Sequence, residues 1–269
     1  EIVGYDRPGC RPFLTKAIPY FARCHEVDQN LRLVANLLDL SSPVIREARH
    51  YPLRFQPSQN DQDYVDSLLA RRAVADEEAQ HTALAETRRV PSPLVAIHPG
   101  AGSPIKLWTA AGFAEVARTL IHRLGATVII TGSQAERELA QEIASGCDHR
   151  RTLVLAGQTT LGQLAALFRR CAVVIGVDSG PLHLAVAVGA PTVHLFGPSD
   201  PAAFGPYGDS ASHAVVSAGL ACAPCGRLDI GPSELGEHRC MLAIEPQQVL
   251  AAVDEVLCHT ESSEQQRGI

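Results

Sequence analysis

Asp178-Ser179-Gly180-Pro181, with His183 two residues further on, lies between an apolar β-branched run at 173–177 and an apolar helical pattern. A turn at the C-terminal end of a parallel strand presents the free N–H groups and positive dipole end of the next helix to an anionic ligand. Ser179 suits the helix cap, Pro181 the first helical turn and Gly180 a close backbone approach. Asp178 and His183 can hydrogen-bond hydroxyls or phosphate oxygens. The same residues also suit a capped helix with a satisfied histidine, so the motif alone decides nothing. A second loop, Gly100-Ala101-Gly102-Ser103 followed by Lys106, can wrap backbone donors around a diphosphate, with the lysine as a point charge. The competing reading of Lys106 is a solvated surface lysine. No Walker loop is present, because the glycine-lysine-serine/threonine ending is missing. Glu136 follows Gly132 at the start of a helical pattern. Its carboxylate suits ribose hydroxyls as well as it suits the helix dipole. Thr131 and Gly132 could flank a nucleoside bound there, and the turn at 156–160 could border its base.

Regular alternation positions these loops. Strands are expected at 94–98, 127–131, 152–155, 172–177 and 192–196, with helices at 109–124, 136–145 and 161–170 and one after Pro181. That alternation implies a parallel sheet. The first 90 residues read as a short strand near Ile2, a helix at 28–38, a proline-rich connection and a charged helix at 62–86, closed by Pro91-Ser-Pro93. The expected division is a partial domain at 1–90, a complete second domain at 91–258 and a disordered tail at 259–269. The last helix, from about residue 246 to 258, is expected to pack back on the first domain.

In this order and separation, the motifs resemble those of the lipopolysaccharide heptosyltransferases, glycosyltransferase family 9. The matching residues are His98-Pro-Gly-Ala-Gly102 leading to Lys106-Leu-Trp108, Gly132-Ser-Gln-Ala-Glu136, Asp178-Ser-Gly-Pro-Leu-His183, and Gly189-Ala-Pro191 running to Phe196-Gly197. Gly4-Tyr-Asp-Arg-Pro-Gly9, Leu14 to Tyr20 and His25-Glu-Val-Asp28 are similar to the later part of that family's first domain. The resemblance implies an α/β, GT-B type enzyme with two Rossmann-like domains, the C-terminal donor-binding one (91–258) complete and the N-terminal acceptor-side one (1–90) truncated. It implies ADP-heptose as donor, held by Gly100, Ala101, Gly102, Ser103, Lys106, Glu136, Asp178, Ser179, Gly180 and His183. The acceptor it implies is the lipopolysaccharide inner core, reached by direct displacement with inversion. The adenine preference rests on this resemblance alone. No metal and no cofactor beyond the donor is expected, and the place of action is cytoplasmic, peripheral to the inner membrane where the acceptor lies.

The family's opening strand, its glycine loop and the adjacent catalytic aspartate are not visible in the sequence. About ninety residues precede Leu94, fewer than the roughly 100–150 of a typical domain. Asp6 does not occupy the family's base motif, so the catalytic base is unassigned.

Composition fits a globular α/β chain: 269 residues, 46% hydrophobic and 19% charged, with apolar runs of strand length and nothing resembling a membrane span. A net charge of −6 argues against broad nucleic-acid binding. Arg7, Arg11, Lys16 and Arg23 form a basic cluster suited to an anionic acceptor, or simply solvated charges. Cys222, Cys225, His238 and Cys240 have a spacing that could make a Cys₃His zinc site, but the second pair is too close for common patterns, and reduced thiols are expected. Two rivals share the cleft: a nucleotide-sugar binding module without catalysis, and a GT-B-like nucleotide-sugar epimerase. An α/β hydrolase is disfavoured, because Gly176-Val-Asp-Ser-Gly180 is not a nucleophile elbow.

Overall fold

The computed structural model describes residues 2–22, 24–38, 52–80, 92–228, 234 and 239–267. Arg23, Pro91, His238 and the end of the helix expected over 62–86 lie outside this set.

Six strands, β3 (Leu94–His98), β4 (Thr127–Ile130), β5 (Thr152–Val154), β6 (Val173–Val177), β7 (Thr192–Leu195) and β8 (His213–Val216), form one sheet in the order β5-β4-β3-β6-β7-β8. Every pairing is parallel. Sequence order runs outward in both directions from the β3/β6 junction, which makes that junction the topological switch point of a Rossmann-like sheet. Ligands of such sheets bind there, beyond the carboxyl ends of the strands.

Local chemistry sets the helices. In α3 (Ala110–Leu124), Thr109 Oγ1 accepts from Gly112 N–H at 3.0 Å, and Gly125 ends the helix in the left-handed region at φ 61°. A Ser133/Glu136 capping box leads into α4 (Arg137–Ser145), and a Thr160/Gln163 box opens α5 (Leu161–Phe168). The helix after Asp178 is α6 (Gly180–Ala187), and the short α7 (Pro201–Phe204) follows β7. Leu164, Ala165 and Phe168 of α5 and Leu182 and Ala185 of α6 cover one face of the sheet. Phe113, Val116 and Leu120 of α3 and Ile143 of α4 cover the other.

The N-terminal part holds β1 (Val3–Tyr5) and β2 (Lys16–Ile18), paired in parallel, with α1 (Glu26–Leu37) beside β1. β2 was not expected from sequence, since only three residues pair and Pro19 follows. Hydrogen bonds from α1 and its cap join this part to the larger sheet unit. His25 Nε2 contacts the Gly205 carbonyl at 2.9 Å, and Tyr207 Oη donates to Asp28 Oδ1 at 2.8 Å.

Three expectations change. The helix α2 (Gln59–Gln80), placed by sequence with the N-terminal part, packs on α5, with Val65, Tyr64, Leu68 and Leu69 meeting Ile129, Leu155 and Leu167. The last helix, α8 (Pro246–Arg267), packs on α3 and on β7 and β8 of its own sheet, because its buried stripe Val249, Ala252, Val253 and Val256 completes that core. It also runs through most of the stretch expected to be disordered, where the sequence holds no proline or glycine before Gly268.

Candidate donor-binding site

The loops after β3, β4, β5 and β6 enclose a cavity of about 350 Å³ beside the switch point, lined by Gly100, Ala101, Gly102, Gly132, Ser133, Glu136, Thr159, Thr160, Ser179 and Gly180, among others. That volume suits a small-molecule ligand. The expected Gly100-Ala101-Gly102 loop, Glu136 and the Ser179-Gly180 turn therefore meet around one space. Thr159 and Thr160, from the turn after β5, border it as well.

Glu136 does two things at once. Its Oε2 accepts from Ser133 N–H at 2.6 Å, closing the capping box, while its carboxylate lies against Gly100 at the cavity wall. A Cβ built on Gly100 would stand 1.8 Å from Glu136 Oε1. The carboxylate is the movable end of a side chain, so Gly100→Ala is expected to fold, at the cost of the cap, about 1 kcal/mol. Displacing the carboxylate should weaken ADP binding about tenfold if it accepts from the ribose. Titration calorimetry showing unchanged affinity beside lowered stability would leave Glu136 as a cap alone.

Lys106 is not a solvated lysine. Its Nζ lies 2.6 Å from Asp178 Oδ2, and the two side chains are 18% and 7% exposed. His183 Nε2 stands 3.9 Å from Asp178 Oδ1. Burial pushes the Asp178 carboxyl up, but contacts with His183, Lys106 and Ser199 and the Lys106 charge outweigh it and hold the pKa at about 2. The Lys106–Asp178–His183 cluster sits beside the cavity, and none of the three forms the cavity wall itself.

Two expected contacts are made differently. Ser179 occupies the N-cap position of α6 without a side-chain cap bond, and its buried Oγ has no partner among the described residues. The extended Ser179 backbone directs its carbonyl, rather than its hydroxyl, to Leu182 N–H at 3.1 Å. Ser103 Oγ donates to the Leu228 carbonyl at 2.8 Å, which ties the glycine loop to the loop that holds Arg227 instead of turning the hydroxyl to the cavity. In the basic cluster, Arg7 lies over Tyr20 and pairs with Glu26, Arg11 pairs with Asp6, and Lys16 donates to the Asn36 carbonyl. These charges have local partners while the Arg7 and Arg11 side chains remain 50% and 70% exposed, and Arg23 lies outside the described residues. Cys222, Cys225 and Cys240 are free thiols, and the fourth ligand considered for zinc, His238, lies outside the described residues.

His98, missed as a site residue, ends β3 at the cavity wall with Nδ1 3.0 Å from Thr131 Oγ1. Its signal was its place, the last residue of a strand before a glycine loop. Burial, partly offset by Glu136, pushes its pKa down to about 4. Burial, helped by nearby His183 and His213, holds His194 near 3. Histidines with depressed folded values stay neutral while the unfolded chain takes up protons below about pH 6.5. The unfolded state then binds more protons, so stability is full above pH 6.5 and falls toward pH 4, by roughly 1.4 kcal/mol per pH unit for each histidine. Urea midpoints should drop between pH 7 and pH 5; equal midpoints would show that these imidazoles are not buried neutral.

Residues 4–229 match the profile of glycosyltransferase family 9 (heptosyltransferase). Lipopolysaccharide heptosyltransferase 2 of Escherichia coli K12 is 27% identical over 274 residues, spanning 96% of this chain and 77% of that one. The solved E. coli ADP-heptose lipopolysaccharide heptosyltransferase II superposes with a TM-score of 0.66 at 24% identity, over 96% of this chain and 70% of that one. An E. coli heptosyltransferase solved with ADP gives 0.51 at 19% identity, over 78% of this chain and 55% of that one. The structural likenesses show the fold to be α/β and of GT-B type.

Proposed function

Because the chain belongs to glycosyltransferase family 9, we propose that it binds ADP-heptose at the switch-point cavity and transfers the heptose to the lipopolysaccharide inner core with inversion. The observation that carries this reading is the partly buried Lys106–Asp178–His183 cluster beside a cavity of nucleoside size. The E. coli relatives named for ADP-heptose and solved with ADP support the donor.

In this reading the nucleoside occupies the cavity, with Glu136 toward the ribose. The diphosphate lies against the Gly100–Gly102 backbone and the N-terminus of α6. Lys106 and His183 then face the phosphates, so the donor competes with Asp178 for the lysine. Released from part of that pairing, Asp178 becomes available to hydroxyls of the sugar. Fixed charges aimed at the departing diphosphate stabilise the displacement most, since they need no reorganisation. The reading calls for no cofactor beyond the donor.

A base must also take the acceptor proton. In the N-terminal part Asp6 is paired with Arg11, Glu26 with Tyr20 and Arg7, and Asp28 with Tyr207. None of the three is assigned this role. Among the described residues no helix is long and apolar enough to cross a membrane. The proposed place of action is the cytoplasmic face, with the chain peripheral to the membrane that carries its acceptor.

Mass spectrometry of incubations with ADP-heptose and core acceptors tests the proposal. The expected result is acceptor gaining one heptosyl unit with matching ADP release. Donor consumption without acceptor, or ADP binding without transfer, would count against it and favour the epimerase or the binding module.

A further inference from the structure

His194 is a costly residue for its place. It lies in β7 between β6 and β8, flanked by Val193 and Leu195 of the apolar core, and is 0% exposed. Its Nε2 meets Thr192 Oγ1 at 2.9 Å, and the same hydroxyl meets His213 Nδ1 at 2.9 Å. A threonine hydroxyl has one proton to donate, so it gives to one imidazole and accepts from the other, and the three groups fix one another. His194 Nδ1 has no hydrogen-bond partner among the described residues. Leaving a polar atom buried and unpaired costs about 1–3 kcal/mol, which an aliphatic side chain at this position would not. Residues that break local rules at such a cost gather at functional sites.

The ring has a specific neighbour. Its centroid lies 6.0 Å from that of His183, at 53°, with Phe196 stacked on it at 6.4 Å and 25°. His183 in turn stands 3.9 Å from Asp178. We propose that His194 is a positioning residue of the donor site: held by Thr192 and His213 and backed by Phe196, it fixes the His183 imidazole toward Asp178 and the diphosphate. Burial keeps His194 uncharged, so it supports His183 without setting a positive charge beside it. The proposal rests on the ADP-donor reading above.

The test is a double-mutant cycle on ADP affinity with His194→Leu, which preserves volume, and His183→Ala, read by calorimetry alongside thermal unfolding. In the otherwise unmodified chain His194→Leu should weaken ADP about five- to tenfold with an unchanged or raised melting temperature, and in the His183→Ala background it should change affinity less than twofold. His194→Asn, which restores a donor and an acceptor, should recover part of the loss, and it carries the cycle if the leucine variant does not fold. Equal losses in both backgrounds, or no loss in either, overturns the positioning role and leaves the donor reading intact. Failure of the unmodified chain to bind ADP removes the donor reading, and this role with it.

Discussion

Lys106→Ala is expected to lower ADP affinity about 10- to 150-fold, the loss of one charge-assisted contact worth roughly 1.5–3 kcal/mol. The sequence suggests that stability would hardly change, as for an exposed lysine. The 2.6 Å pair with Asp178 alters that expectation, since both side chains are largely buried. Removing one partner strands a carboxylate whose contacts had held it ionised, and breaking such a pair costs about 3 kcal/mol, the low end of the range because Lys106 keeps some exposure. The two effects separate in a double variant. Lys106→Ala with Asp178→Asn removes the stranded charge, so stability should largely return while ADP affinity stays low. Denaturant unfolding and calorimetry on the three variants read this directly. ADP affinity that survives Lys106→Ala, or that returns together with stability in the double variant, would make the lysine a structural counter-ion and not a phosphate ligand.

That pair also marks a limit of sequence reading. Lys106 and Asp178 were each legible, because both follow β-branched strand runs that break into glycine or proline. Their contact across 72 positions was not. It follows from β3 lying next to β6, and strand order is a property of crossovers that periodicity does not encode. The same holds for α2 and α8. Their apolar stripes declare a buried face, yet only the assembled sheet decides which surface that face meets. His98 and His194 were overlooked for a different reason: on a buried strand a histidine reads as one more core position. Its cost appears only when its nitrogens can be counted against their partners.

Trp108 closes the argument from loop to core. It stands two residues beyond Lys106 and is 4% exposed, and its Nε1 donates to the Ile244 carbonyl at 3.1 Å just before α8. Its ring meets Phe113 edge-on at 4.9 Å and lies so close to Gly112 that a Cβ there would stand 2.5 Å from it. The indole thereby fastens the donor loop to the first turn of α3 and to the approach to α8. Trp108→Ala should cost about 3–5 kcal/mol for the lost ring and cavity. The Ile244 carbonyl also loses its indole donor. Trp108→Phe, which keeps most of the ring but not the N–H, should lose only about 1–2 kcal/mol. Trp108 is the only tryptophan, so unfolding must be followed by circular dichroism rather than by indole fluorescence. On the donor reading ADP binds only the folded loop, so ADP at a hundred times its dissociation constant should raise the stability of Trp108→Phe by about 2.7 kcal/mol, more than the substitution removes. If Trp108→Ala unfolds at the midpoint of the unmodified chain, the indole does not anchor the loop, and Lys106 must be held by its ion pair alone.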